Sequence, residues 1–176
     1  MGQYYHPVIL DAAGNIVVWM SAHNYNNGLK LLEHSFLKNS FVNAFEFGLS
    51  PEGIYHKSRV VWAGDYADLE PGKEANLYQM CDDDKLIVPD SKSTMIFRYV
   101  VNHSKKLYVD KTKIPCSGDR YALHPLPLLT AEGNGRGGGD YRGDSELVGS
   151  WARDVISVEE TITDEFQELV FDLAEH

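Results

Sequence analysis

The sequence predicts an α+β fold, with a mainly antiparallel sheet and three or four short helices in a single domain spanning residues 1–176. Three observations lead there. Apolar, β-prone runs are separated by short clusters of turn-forming residues, so hairpins dominate. No regular alternation of strand and helix occurs, which argues against a doubly wound parallel sheet. A chain of 176 residues, 43% apolar and 24% charged, has the length and composition of one globular unit, not of a disordered or fibrous chain.

Tyr4 to Leu10 and Ile16 to Met20 flank Asp11-Ala12-Ala13-Gly14-Asn15 and predict an opening hairpin. Asn26-Asn27-Gly28 offers polar capping groups; Leu29, Leu32 and Phe36 then recur at helical spacing and predict a helix ending near Asn39. Ser40 can cap a second short helix carrying Phe41, Val42 and Phe45 and stopped by Gly48 and Pro51. Arg59 to Ala63 reads as a strand running into the corner Gly64-Asp65-Tyr66. Glu74 to Cys81 reads as a further short helix, and Asp82-Asp83-Asp84, which lacks the spacing of a calcium loop, as a solvated turn. Thr94 to Val101 and Leu107 to Val109 form a second hairpin. Tyr121 to Leu129 is apolar, but Pro125 and Pro127 point to an edge strand or extended segment. Asp154 to Val158 is again β-prone, and Thr163 caps a closing helix with Phe166, Leu169, Val170 and Leu173 on one face.

Sixteen Lys and Arg stand against 26 Asp and Glu, a net charge of −10. That balance argues against a protein built to grip nucleic-acid phosphates, which needs positive surface along the contact. Residues 91–120 hold seven bases and two acids, and Lys105, Lys106, Lys111 and Lys113 read as the solvated side and turn of a hairpin. Residues 154–176 hold eight acids and no base. An acidic surface can also occupy a basic groove on a partner protein. No apolar run reaches the roughly 20 residues of a membrane helix and the start has no signal-peptide pattern, so the expected address is cytoplasmic. His6 stands where a myristoylation motif needs Ser or Thr. Cys81 and Cys116 have no zinc or CxxC spacing and read as reduced thiols.

The most unusual segment is 133–143, with six glycines in eleven residues. Glycine is costly to order, so such a concentration suggests backbone that turns at positive φ or approaches something closely. The main chain of Gly137, Gly138, Gly139, Asp140 and Tyr141, with the guanidinium groups of Arg136 and Arg142, makes a candidate cradle for a phosphate or carboxylate. A mobile surface loop is the competing reading. Gly133, Gly135 and Gly138 satisfy GxGxxG, but Gly139 to Gly143 cannot open the helix that a dinucleotide site requires, and no Walker lysine occurs. Arg142-Gly143-Asp144 carries no adhesion meaning in a chain with a cytoplasmic address.

Gly-Asp-Tyr occurs twice, at Gly64-Asp65-Tyr66 and Gly139-Asp140-Tyr141. If the two corners meet, Asp65 and Asp140 form a carboxylate pair beside Tyr66 and Tyr141, able to do acid–base work or hold a hard cation; turn formation alone also selects these residues. Trp62 and Trp151 adjoin the two segments and can wall a pocket or fill the core. None of the seven histidines has zinc-site spacing, and no motif singles out a nucleophile, so neither a metal nor a cofactor is expected and the balance leans away from an enzyme.

Met1-Gly2-Gln3-Tyr4-Tyr5, the stretch Asn26 to Ser35, Val61 to Tyr66 and Glu132 to Gly143 together resemble a family of uncharacterised bacterial and bacteriophage proteins that begin MGQYY. The likeness spans nearly the whole chain. It implies a phage or mobile-element setting, where small acidic proteins are often accessory factors, inhibitors of host defence among them, and it brings no catalytic residues. The leading expectation is a non-enzymatic protein holding a small anionic, nucleotide-like ligand at Arg136 and Arg142, with Asp65, Tyr66, Trp62 and Trp151 nearby. The alternatives are an acidic inhibitor that occludes a basic surface on a host protein, and a metal-assisted hydrolase or transferase using Asp65 and Asp140.

Overall fold

A computed structural model describes residues 3–90, 97–115, 122–133 and 146–173. Its opening hairpin pairs β1 (Tyr5–Leu10) with β2 (Ile16–Trp19) around Asp11, whose carboxylate accepts from the backbone N–H groups of Ala13 and Asn15 at 2.9 Å each. β1 also pairs with β3 (Ser58–Gly64) over six residues, so it is buried on both faces. Val8 and Leu10 pack with Trp19, Val61, Ala63 and Leu77 on one side. Ile9, Val60 and Trp62 join the larger core on the other. Burial on both faces explains why these strands read as unbroken apolar runs instead of an alternation.

β3 then forks. Its first residues pair antiparallel with β7 (Val155–Glu159), and its last pair in parallel with β6 (Ala131–Glu132), Trp62 opposite Ala131 and Ala63 opposite Glu132. From β7 the sheet continues through β4 (Tyr99–Asn102) and β5 (Leu107–Asp110) to a two-residue strand β8 (Gln167–Glu168), giving the order β2-β1-β3-β7-β4-β5-β8. The fold is therefore α+β in one domain, and among the strands of the described residues all pairs are antiparallel except β3–β6 and β5–β8. Among the described residues three α-helices complete it, α1 (Leu31–His34), α2 (Ser40–Gly48) and α3 (Pro125–Thr130), with short 3-10 turns between elements.

Four expected elements differ. The helix over Leu29–Asn39 shrinks to the single turn α1, because the Asn39 side chain caps α2 by accepting from Phe41 N–H and Val42 N–H, and an N-cap residue must leave helical dihedrals. Lys38 at φ 72° breaks the path just before it. Residues 74–81 form turns instead of a helix; Asn76 diverts its amide to the carbonyls of Asp65 and Ala67. Pro125 and Pro127 open a helix instead of an extended run. His124 supplies the cap through Nδ1, and proline in a first turn sacrifices no hydrogen bond and presets φ. The closing helix is absent. Its residues lie along the edge of β5, where Gln167 N–H and Leu169 N–H donate to the carbonyls of Lys106 and Tyr108; Phe171 and Leu173 are buried while Val170 stays 74% exposed. A stretch with eight acids and no base has no oppositely charged i,i+4 partners to favour a helix.

Lys111 also departs from its expected solvated position. It is buried, with Nζ 2.7 and 2.5 Å from the two oxygens of Glu46, and His124 Nε2 lies 3.1 Å from the same carboxylate. Burial alone would raise the Glu46 pKa; Lys111 and His124 outweigh it and hold the group well below the ordinary carboxylate range. Because His124 Nδ1 accepts the Leu126 N–H, the ring's proton sits on Nε2, 3.1 Å from the Glu46 carboxylate but not aligned for a hydrogen bond to it.

Candidate functional site

Trp62 and Trp151, expected beside a ligand, have essentially no exposed surface. The Trp62 indole N–H donates to His34 Nε2 at 2.9 Å, and its ring packs edge-on against Phe45. Both tryptophans fill the core and present no wall to a guest. Asp65 is occupied locally: Oδ1 accepts the Tyr4 N–H at 3.0 Å and its own N–H donates to the Tyr4 carbonyl at 2.9 Å, so this corner is a hydrogen-bonded turn. Tyr66 is exposed. Arg136, Gly137, Gly138, Gly139, Asp140, Tyr141, Arg142 and Cys116 lie outside the described residues.

The start of the glycine-rich segment is placed, and it adjoins the first Gly-Asp-Tyr corner. The parallel β3–β6 pairing sets Gly64 against Glu132 and Gly133, so closely that a Cβ on Gly64 would fall 2.8 Å from the Glu132 carbonyl and 2.9 Å from the Tyr5 ring. Only glycine permits that approach. Arg153 fastens the same place. Nε and Nη2 reach both oxygens of Glu132 at 2.8 and 2.7 Å, while Nη1 and Nη2 reach Glu70 at 2.9 and 2.7 Å. Two forked carboxylate contacts engage four of the five guanidinium N–H donors and neutralise its charge.

A different group of residues forms an open polar basin. Antiparallel pairing of β4 with β7 sets Val101 opposite Ser157 and Tyr99 opposite Glu159, and His103 follows β4 directly. His56 and Lys57 precede β3; Lys106 comes from the β4–β5 turn; Thr161, Thr163 and Phe166 come from the chain after β7. Together they enclose about 280 Å³. Beneath lies a hydrogen-bonded relay. His56 Nε2 is 2.7 Å from Glu159 Oε2, Ser157 Oγ donates to the same oxygen at 2.6 Å, and His103 Nε2 is 2.7 Å from Ser157 Oγ.

Valence fixes the protons. A carboxylate only accepts, so His56 carries hydrogen on Nε2; the one hydroxyl proton of Ser157 is given to Glu159, so His103 also carries hydrogen on Nε2. Ser157 is fully buried and its proton is directed away from either imidazole, which is not the arrangement of an activated nucleophile. Each imidazole keeps Nδ1 without a partner among the described residues.

The lysines add charge. Lys57 has no carboxylate partner among the described residues, and Lys106 lies over the Phe166 ring at 5.2 Å with Glu165 at 3.8 Å. Both sit in left-handed backbone, at φ 60° and φ 57°. Such dihedrals cost a lysine on the order of 1 kcal/mol each, and strained residues gather at binding sites. Burial, and then Lys57, lower the pKa of His103; the upward pull of Glu159 is weaker than the push of Lys57, and Lys106 adds to the push.

No motif spacing reveals this basin, because His56 and Glu159 are 103 residues apart. The available signal is Ser157 and Glu159, two polar residues at i and i+2 in an apolar strand, which places both on one face. Among the described residues no group of three or more His, Cys, Asp or Glu is arranged to hold a metal ion, and no helix is long and apolar enough to cross a membrane. No family model, curated protein or solved structure matches the chain.

Proposed function

We propose that this is a non-enzymatic binding protein that takes a small anionic ligand, and that the basin of His56, Lys57, His103 and Lys106 is its seat. The observation that carries the reading is the pair of lysines held in left-handed turns around a cavity lined by two imidazoles whose Nε2 atoms are engaged and whose Nδ1 atoms have no partner among the described residues. A neutral imidazole fixed in this way offers an anion only a lone pair. A protonated one offers an N–H. Anion binding is therefore coupled to proton uptake, and affinity rises as pH falls. Val101, Ile162 and Phe166 give the basin an apolar lining, which suits an anion with a planar or apolar body, such as a nucleoside monophosphate.

The test is calorimetric titration with inorganic phosphate and with the four nucleoside monophosphates at pH 6 and pH 8. Tighter binding at pH 6, with proton uptake shown by dependence on buffer ionisation enthalpy, supports the reading. Lys57→Ala and Lys106→Ala should each weaken binding about tenfold, in line with the loss of one charge-assisted hydrogen bond. Parallel titrations of Arg136→Ala and Arg142→Ala decide between the basin and the glycine-rich segment: loss confined to the arginine variants would move the ligand to that segment. An absence of binding to the whole panel would overturn the proposal.

A further inference from the structure

The end of α2 and the chain opposite it enclose a second cavity of contrary character. Gly53 folds back on the helix end, its N–H donating to Ser50 and the Tyr55 N–H donating to the Gly48 carbonyl at 2.8 Å. Here too a side chain is excluded, since a Cβ on Gly53 would lie 2.2 Å from the Gly48 carbonyl oxygen. The facing wall is the extended run at 86–89, held by Ile87 N–H on the Trp19 carbonyl and by the Tyr25 hydroxyl on the Pro89 carbonyl. Between them lies about 480 Å³ of space floored by Ile9, Met20 and Phe45 and flanked by Ile87. Ile54 and Val88, 88% and 56% exposed, stand among its lining residues. Two large aliphatic groups left in water at the same opening are not explained by packing within the fold.

One charged side chain lines this space. Glu52 has no ion pair or hydrogen bond among the described residues, and the chain as a whole is strongly acidic. The Gly48 carbonyl, already engaged by Tyr55, and the Pro89 carbonyl, already engaged by Tyr25, leave little else to orient a polar head. From volume, lining and charge we infer a second binding site, at the α2 end, for a small amphipathic cation whose apolar body enters the cleft and whose ammonium group meets Glu52. Drug-sized guests occupy cavities of this size, with apolar walls and few polar groups. The site shares no lining residue with the basin and does not depend on it.

The test is titration of the full chain with primary alkylammonium ions of four to twelve carbons below their micellar concentrations, beside the matching alcohols and carboxylates. Affinity should rise about fourfold per methylene and then level off once the cleft is filled. At equal length the ammonium should bind about fivefold tighter than the alcohol. Glu52→Gln should remove the difference between ammonium and alcohol while keeping the length dependence. Ile54→Ser with Val88→Ser, both at exposed positions that leave the fold intact, should weaken all three series. Lys57→Ala should leave the ammonium and alcohol series unchanged and weaken only the carboxylates, which the basin can also take. The proposal is overturned if, in the Lys57→Ala background, carboxylates bind as well as ammonium ions, if affinity climbs with length without levelling, or if ammonium binding survives both sets of cleft substitutions, since attachment would then follow the general acidity of the surface.

Discussion

The trio of Glu46, Lys111 and His124 and the basin of Glu159, Lys57, Lys106 and the two histidines are built from the same three residue types, and they do opposite things. In the trio each full charge has a partner: Lys111 spans both oxygens of Glu46, and the imidazole uses one nitrogen to cap α3 and keeps the other 3.1 Å from the carboxylate. Water is excluded. In the basin the carboxylate is bound from below by His56 and Ser157, and the remaining cationic groups face a partly exposed concavity. A buried, paired charge ties elements together, whereas an open, incompletely paired charge is available to something from outside.

Single-partner removal gives the largest expected contrast. Lys111→Met should destabilise the fold by about 3–5 kcal/mol in urea unfolding, because it strands a buried carboxylate, while combining it with Glu46→Leu should recover most of the loss. A small effect of the single substitution would mean that the trio is wetter than its burial implies.

Acid should separate the two regions next. His34 Nδ1 lies 2.9 Å from the Gly28 carbonyl and Nε2 accepts from Trp62, so the fold requires a neutral ring. Burial lowers the pKa values of His34 and of His6 to about 4. The unfolded chain takes up these protons near pH 6.5 and the folded chain does not, so stability complete above pH 6.5 is lost as pH falls toward 4, by about 2 kcal/mol per histidine at pH 5. Glu46 contributes in a lower window, from its ordinary value near 4.5 downward, as the carboxylate that its partners keep ionised is finally protonated. His34→Gln should remove about half of the loss in the upper window, His6 supplying the rest, in denaturant midpoints measured from pH 7 to pH 5; an unchanged profile would remove His34 from the account.

The smallest change in stability belongs to the basin. Lys57→Ala and Lys106→Ala should shift unfolding by less than about 0.5 kcal/mol while altering anion binding. A large loss of stability from either would make the basin structural after all.

How far these regions could be read from residues follows the same division. The first hairpin, the strand at β3, the second helix and the α+β class were legible, as was the second hairpin apart from 94–96, which lie outside the described residues, because each rests on local periodicity and turn residues such as Asp11 and Gly48. Pro125 and Pro127 misled because proline is equally at home in an extended run and in a helix's first turn, and only the His124 cap decides between them. The final segment misled because the open edge of β5, which it covers, does not appear in its own pattern. The basin was illegible for a stronger reason: three strands must pair before His56, His103 and Glu159 come together. The tryptophans were visible as residues that wall a pocket or fill a core, and packing chose the core.

Arg153 clips Glu132 to Glu70, while Gly149 N–H and Trp151 N–H bind the carbonyls of Leu128 and Leu129, so residues 133 and 146 are moored to the scaffold by contacts that owe nothing to the twelve residues joining them. Lengthening a connection whose ends are already secured costs little free energy. The Arg153 clip therefore keeps Glu132 in place against Glu70 whatever length of chain is inserted between residues 133 and 146.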